Sequence, residues 1–388
     1  MGKCKAQYLR GKRIEIFPTE EQKVKIQECI DVTRAVYNIG LEYQKENYEN
    51  GNKYNKYFEM CKIFQNMKNN NSEYSWFNKI TMSTIRQVLY NLNNAFIRFF
   101  NKLSKFPRFK SKKTAKKSFT VRSDRVEVKD DQYIRIPELG MTYCKNHQIP
   151  IGTRMYDTVI TYDGYSRYWL TVKTESEMVD MSDIKKTDTV GIDVGIRNMI
   201  TTSDGHYYHF SDCKRFEKRL KRQQRRLSKH YEYYLNESKR TKTKYEDIPK
   251  SKNMQKLLAK QYKTYQKIHN KRMNDIHKAT KEIVDRNPEC IVIEDISIEK
   301  MIKENFWFAK YKPQFMFYEI HKQLQYKAED RRIEVIKANP HFPSSKMCSN
   351  CGHIRNIHGM HTYRCPICGL IMDRDLNAAI NLRNLAYQ

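Results

Sequence analysis

The spacing of apolar positions changes period several times along the chain. Residues 8–17 ("YLRGKRIEIF") alternate with a period of two, which predicts a short strand. Pro18 and Thr19 follow, and Thr19 suits an N-cap. From residue 20 to about 104 the pattern is helical. Both "QKVKIQECIDVTRAVYNIGLEYQKENY" and "MSTIRQVLYNLNNAFIRFFNKL" repeat apolar residues every three or four positions. Period two returns over 119–175, in "SFTVRSDRVEVK", "YIRIPELG", "DTVITYDG" and "YWLTVKTE", bounded by Asp-Gly and Pro signals. These short strands predict a small barrel. The strand near residue 8 would join it, so the helical lobe would be an insertion. Residues 178–188 ("MVDMSDIKKTD") are polar and read as a linker.

The second half has a different order. "TVGIDVGIRNMITTSDGHYYHF" predicts two or three consecutive strands with a turn at Asp204-Gly205. A basic helix ("CKRFEKRLKRQQRRLSKHYEYY") and a second helix (256–287, stopped by Pro288) come next. Then follow a buried strand ("CIVIEDIS"), a helix ("PQFMFYEIHKQLQYKAED"), a strand ("RIEVIKANP"), a cysteine element and a final helix. Three strands, helices, strand, helix, strand, helix is the order of an RNase H-like α/β domain.

Composition narrows the partners. A chain of 388 residues is long enough for more than one domain. Its formal net charge of +29 calls for a polyanion. Frequent Lys, Asn, Ile and Tyr are also what a biased codon usage produces. No Lys/Arg helix with a clear apolar face stands near either end, which favours nucleic acid over a membrane surface. The opening residues lack an apolar signal core, Ala6 breaks the myristoylation pattern, and no segment has transmembrane length. Six of the ten cysteines are scattered, as in reduced intracellular chains, so the expected location is the cytoplasm or the nucleoid.

Residues 106–119 ("FPRFKSKKTAKKSF") carry Arg108, Lys110, Lys112, Lys113, Lys116 and Lys117 with no acid. Interleaved phenylalanines favour a nucleic-acid contact strip over a merely solvated loop.

Three acidic positions sharpen the picture. Asp193 lies inside "VGIDVGI", where a carboxylate is costly unless a cation satisfies it. Glu294 ends the apolar run "CIVIE", and Asp375 opens the last helix. Each acid alone also fits an ordinary role: Asp373 or Asp375 as an N-cap, Glu294 and Asp295 as solvated strand-end groups. Together, in this element order, the three can converge at one sheet edge. Phosphodiester hydrolysis by two Mg²⁺ ions, about 4 Å apart, needs such oxygen ligands.

Cys348, Cys351, Cys365 and Cys368 form C-x₂-C-x₁₃-C-x₂-C, a closed four-thiolate set for one structural Zn²⁺. His353, His358 and His361 lie in the intervening loop, with no ligand position left for them. Cys368 precedes Asp375 by seven residues, so the zinc would constrain the entry to the helix carrying the third carboxylate.

"GIDVGIRN", "NKRMNDIHK", "IEDISI", "PSSKMCSNCG" and "YRCPICGLIMDRDLNAAINL" resemble the TnpB family, RNA-guided nucleases encoded by transposable elements and related to type V CRISPR effectors. "FPRFKSK" and the opening "YLRGKRIEIFPTEEQ" are similar to it too. The resemblance implies a RuvC-like nuclease domain with Asp193, Glu294 and Asp375 as catalytic triad. The aspartate directly before "LNAA" is the family's third, which selects Asp375 over Asp373. It implies a barrel-like wedge domain (1–19 and 118–185, the latter with the linker) interrupted by a helical recognition lobe with the basic strip (20–117). The nuclease would occupy 186–346 and 370–388, with a zinc ribbon inserted at 347–369. No second, HNH-type nuclease insert is evident, so one site would cut both strands. The implied partners are a guide RNA from the transposon end and double-stranded target DNA beside a short flanking motif. On that view Lys214, Arg215, Arg219, Arg222, Arg225, Arg226 and Arg272 contact phosphates, where a solvated basic face is the plainer alternative. A guided DNA-binding repressor, a miniature type V effector and a transposase acting on element ends are the competing readings.

Overall fold

The computed structural model describes residues 7–112, 115–145, 147–177, 185–195, 197–244, 248–295, 316–356 and 360–387. The chain forms two compact units, Met1–Glu177 and Met178–Gln388.

In the first unit, β1 (Gln7–Phe17) leads into α1 (Glu20–Glu49). Thr19 caps that helix in a capping box with Gln22. Then come α2 (Tyr57–Asn70), a 3-10 stretch and α3 (Met82–Phe100). The apolar stripe predicted on α1 is buried at Ile26, Cys29, Ile30, Val36 and Leu41, and α3 answers with Ile85, Leu89 and Leu92. Six further strands follow: β2 (Ser118–Val121), β3 (Glu127–Val128), β4 (Tyr133–Ile136), β5 (Gly140–Cys144), β6 (Met155–Tyr162) and β7 (Tyr168–Glu177). All seven form one antiparallel sheet in the order β2-β6-β7-β1-β5-β4-β3. β1 is therefore central, and the three helices are inserted between it and β2. Among the described residues no ladder joins β2 to β3, so these two strands are the ends of the hydrogen-bonded order. β5, with Gly140 at its start, is a strand the sequence reading passed over.

In the second unit, β8 (Val190–Asp193), β9 (Ile200–Thr202) and β10 (Tyr207–Tyr208) run antiparallel. Gly205, at φ +86°, supplies the left-handed residue of the β9–β10 turn. α4 (Lys214–Thr241) and α5 (Lys252–Asp285) form a long hairpin. β11 (Cys290–Glu294), α6 (Phe317–Glu329), β12 (Glu334–Ala338) and α7 (Arg374–Leu385) complete the unit. The sheet order is β10-β9-β8-β11-β12, with β11 parallel to both β8 and β12. β11 is buried on both faces, which explains its continuous apolar run. Ile291 and Ile293 pack with Ile276 and Ile283 of α5 and Leu324 of α6, while Cys290 and Val292 pack with Leu382 of α7. The linker at 178–184 and the stretch 296–315 lie outside the described residues.

Candidate active site and zinc ribbon

The parallel register sets Ile192 opposite Ile293. The next residue of each strand is a carboxylate, Asp193 on β8 and Glu294 on β11, so the two acids end adjacent strands at one sheet edge. α7 delivers the third. Gly191 lets that helix lie against β8: a Cβ there would stand 2.0 Å from the Ala379 carbonyl oxygen and 2.4 Å from the Arg383 nitrogen. Only glycine allows such backbone contact.

The two aspartates at the start of α7 have different jobs. Asp373 is the N-cap: its Oδ1 accepts from the backbone N–H of Asp375 (2.9 Å) and Leu376 (3.2 Å). Its Oδ2 accepts from Arg197 at 2.9 Å. Asp375, two residues on and still in the first turn, accepts from Asn198 Nδ2 at 3.0 Å, and its charge reaches Asp193. The Asp193 carboxyl is held well above the usual carboxylate range, by burial first, then by the charges of Asp375 and Glu294, with Arg374 opposing. Burial also raises Glu294, again with Arg374 opposing. A divalent cation would relieve Asp193, which burial and the charges of Asp375 and Glu294 both disfavour as a carboxylate; among the described residues only the four cysteines already stand close enough together to form a ready-made metal cluster. Asn198, Arg374 and Tyr207, a phenol raised by burial and by Asp373 and Asp375, are neighbours that the sequence reading missed.

The four cysteines come together. Their sulfurs all lie within 4.8 Å of one another, with Cys348–Cys368 at 3.6 Å and Cys351–Cys365 at 3.5 Å. Tetrahedral zinc with Zn–S near 2.3 Å needs sulfurs roughly 3.8 Å apart. Each knuckle closes on a left-handed glycine, Gly352 (φ +74°) and Gly369 (φ +73°), whose N–H returns to the first cysteine of the pair. The Asn350 side chain and the Leu370 N–H bring the Cys368 thiol down to about 6. Cys351 goes the other way: it has the His353 N–H to lower it, yet burial and the three neighbouring sulfurs push it up to about 12. Four sulfurs this close do not all ionise without a cation to share them.

The ribbon is tied to α7 directly. Asn377 and Asn381, both fully buried, sit one turn apart on the helix. Asn377 donates to the Met347 carbonyl (2.7 Å) and accepts from the Ser349 N–H (3.0 Å). Asn381 donates to the carbonyls of Ser344 (2.8 Å) and Met347 (2.7 Å). These bonds bracket Cys348. β13 (Thr362–Arg364) pairs with β14 (Ile371–Asp373), which runs straight into the cap of α7. Tyr363, fully buried, donates to the carbonyls of Lys346 and His353. His353 thus contributes its backbone, and His358 lies outside the described residues.

The predicted basic residues divide. Lys214, Arg215, Arg219, Arg222, Arg225 and Arg226 are exposed along α4. Arg272 is not available: it is 8% exposed, bonded to Glu217 at 2.9 Å and lies over Phe210. It is a tie between α5 and α4. In the first unit Arg108, Lys112 and Lys116 are exposed, whereas Lys117 is half-buried with its ammonium 5.3 Å from the Tyr162 ring. Lys110, also exposed as a residue, places its ammonium 3.6 Å over Tyr37, where desolvation of the charged end lowers its pKa. Its backbone exchanges two hydrogen bonds with Asn38, so it anchors the strip to α1. A cavity of about 350 Å³ lies beside it, lined by Arg34, Lys112, Lys116 and Lys117, with Asp31 as its single acid. Lys113 lies outside the described residues.

Three family models match the chain. One, described as "Probable transposase", covers 171–305 and contains Asp193 and Glu294. A second, "Cas12f1-like, TNB domain", covers 317–382 and contains the four cysteines and Asp375. A third, "Helix-turn-helix domain", covers 8–53; here that stretch is β1 and the single helix α1, ending before α2 begins. "Putative RNA-guided DNA endonuclease InsQ" of Escherichia coli (strain K12) is 28% identical over 96% of this chain and 91% of its own length. "Putative RNA-guided DNA endonuclease" of Streptomyces pristinaespiralis is 26% identical over 97% of this chain and 89% of its own. Over nearly its whole length the chain is similar to these relatives, in keeping with its resemblance to the TnpB family. The "CRISPR-associated endodeoxyribonuclease Cas12f1" of Sulfoacidibacillus thermotolerans matches the chain at 33% identity, over 30% of this chain and 28% of its own length. Among the described residues, no helix is long and apolar enough to cross a membrane.

Proposed function

We propose that this protein is an RNA-guided DNA endonuclease encoded by a transposable element, with Asp193, Glu294 and Asp375 as its catalytic carboxylates. The observation that carries the site assignment is the electrostatic coupling of three acids from distant parts of the chain at one sheet edge. The guided activity is supported by full-length likeness to relatives named as RNA-guided DNA endonucleases.

The second unit acts as an RNase H-like, RuvC-like nuclease domain (186–346 and 370–388) interrupted by a zinc ribbon at 347–369. The first unit acts as a barrel-like wedge (1–19 and 118–185) carrying a helical recognition lobe (20–117). Asp193, Glu294 and Asp375 would hold two Mg²⁺ ions. Bound there, the ions supply an activated water and charge neutralisation at the leaving oxygen. The chain's own contribution is placement. Parallel pairing aligns Asp193 with Glu294. Gly191 seats α7. The Asp373 cap fixes the helix start, and Asn198 orients the Asp375 carboxylate. The one Zn²⁺ is structural, held by Cys348, Cys351, Cys365 and Cys368.

The guide is an RNA from the transposon end, and the target is double-stranded DNA beside a short flanking motif. Base pairing reads the sequence while the basic surfaces hold backbone. The working location is the cytoplasm, on the nucleoid. A guided repressor without cleavage is the second reading, and the intact triad argues against it.

The test is purified protein with the RNA bound from its own locus, a library of flanked targets and Mg²⁺. Cleavage that disappears in Asp193→Ala is expected. Failure of the intact protein to cut, or equal cutting by both, sinks the proposal.

A further inference from the structure

α4 and α5 extend well past the sheet. α5 reaches β11 through residues 286–289 alone, so it runs antiparallel to that strand. Only its Ile276–Val284 stretch joins the sheet's core. Its N-terminal part therefore overhangs the end of β11 at which Glu294 stands. There the hairpin is held by a small core of Leu227, Tyr234 and Met254. It is also held by antiparallel bonds from Gln224 to Tyr265 and from the Ser251 N–H to Tyr234.

Between the helices lies a groove of about 610 Å³. Arg219, Arg222 and Arg226 line one side; Lys256, Lys260, Lys263 and Lys267 line the other. All seven are exposed, and among the described residues neither an ion pair to any of them nor a carboxylate lining the groove occurs. Each row repeats every three or four residues, about one cation per 5.4 Å turn. Two packed helices stand 8–10 Å apart at the axis, which leaves room for roughly one backbone between the rows. Concentrated like charge of this kind is unfavourable by itself and is relieved by a polyanion, with counterion release.

We infer that this groove is a binding track for one strand of DNA, held by its phosphates without regard to sequence, on its way to or from the carboxylate edge. Lys267 and Lys256 lie about 14 and 30 Å from Ile276 along the α5 axis, a few nucleotides' reach from the acids. The choice of DNA rests on the nuclease reading, because DNA is that enzyme's substrate; the phosphate track itself does not.

The experiment uses the full-length protein with its bound RNA, without Mg²⁺, and a labelled oligothymidylate of about 20 nucleotides. Anisotropy titrations across a range of salt give the slope of log K against log salt. Replacing Lys256, Lys260 and Lys263 with glutamine should make the slope shallower by about 2, near 0.7 for each lost contact, and weaken binding at least tenfold at low salt. Replacing Lys229, Lys239 and Lys278, exposed on the same helices outside the groove, should change neither. Equal effects from the two triples, or an unchanged slope, overturn the track. A groove-dependent slope with oligouridylate but not oligothymidylate also overturns it. Guided cleavage is assayed in parallel. An unmodified protein that binds through the groove but never cuts would remove the nuclease reading and leave the track. Normal cutting with a slope indifferent to the groove would do the reverse.

Discussion

Gly191→Ala tests whether the seat of α7 governs the third carboxylate. The added Cβ would stand 2.0 Å from the Ala379 oxygen, about 1.4 Å inside the 3.4 Å at which ordinary contact begins. Both obstructing groups are α7 backbone, so no side chain can swing away, and the helix must shift by roughly an ångström. Overpacking of this kind costs about 1–3 kcal/mol, which lowers Tm by about 2–4 °C per kcal/mol in a unit of this size. Asp375 lies one turn from Ala379 on the displaced helix. A misplacement near 1 Å at a catalytic group costs about 100-fold in rate. Guided cleavage under single-turnover conditions, with differential scanning of the same samples, reads both quantities. Gly11→Ala, whose Cβ would meet nothing within 4 Å, should leave both unchanged. If Gly191→Ala lowers Tm but cuts at the original rate, Asp375 does not depend on the seating of α7 and the reasoning is wrong.

Other predictions follow from the same edge. Asn377→Ala with Asn381→Ala should keep zinc, measured by metal content, yet lose about 1–3 kcal/mol per unsatisfied buried site and most cleavage; Cys365→Ser should lose zinc and cleavage together. Asp373→Asn keeps the cap and most activity, Asp373→Ala loses about 1 kcal/mol, and Asp375→Asn abolishes cutting at unchanged fold. Because the folded Asp193 carboxyl is raised, its stabilising contribution is fullest below the ordinary carboxylate value and is lost as pH rises through the folded one. In EDTA at neutral pH, Asp193→Asn should therefore melt higher than the parent while cutting nothing, and the difference should vanish in acid; a lower Tm at neutral pH would contradict this.

Much of the second unit was legible because its signals are local. An aspartate within "VGIDVGI" marks itself by the burial around it, and "CIVIE" announces a strand covered on both faces. Cysteine spacing identified the zinc set without any long-range knowledge. What escaped depends on contacts distant in sequence. Asn377 and Asn381 share one helix face, four residues apart, but their partners lie some thirty residues upstream. Gly191 reads as one glycine among several until α7 is seen against it. Arg272 was misplaced because counting bases on a helix ignores its faces. It falls on the buried stripe of Thr264, Ile268 and Ile276, four residues from each neighbour, where a guanidinium needs a partner and finds Glu217. β5 was hidden by the glycine that opens it, which reads as the end of the preceding strand.

The central position of β1 bears on how the protein is made. Gln7 pairs with Glu177 and Ile16 with Tyr168, so the first strand of this sheet to be synthesised must wait for the last. At about 5–20 residues per second, some 10–30 s pass before that partner is complete. During this interval α1, α2 and α3, whose contacts are local, can fold first. An unpaired strand with two open edges meanwhile remains exposed beside them. Slowing translation between residues 100 and 170 should therefore lower soluble yield without changing the finished molecule, which makes codon choice in that stretch a determinant of how much active protein a cell obtains.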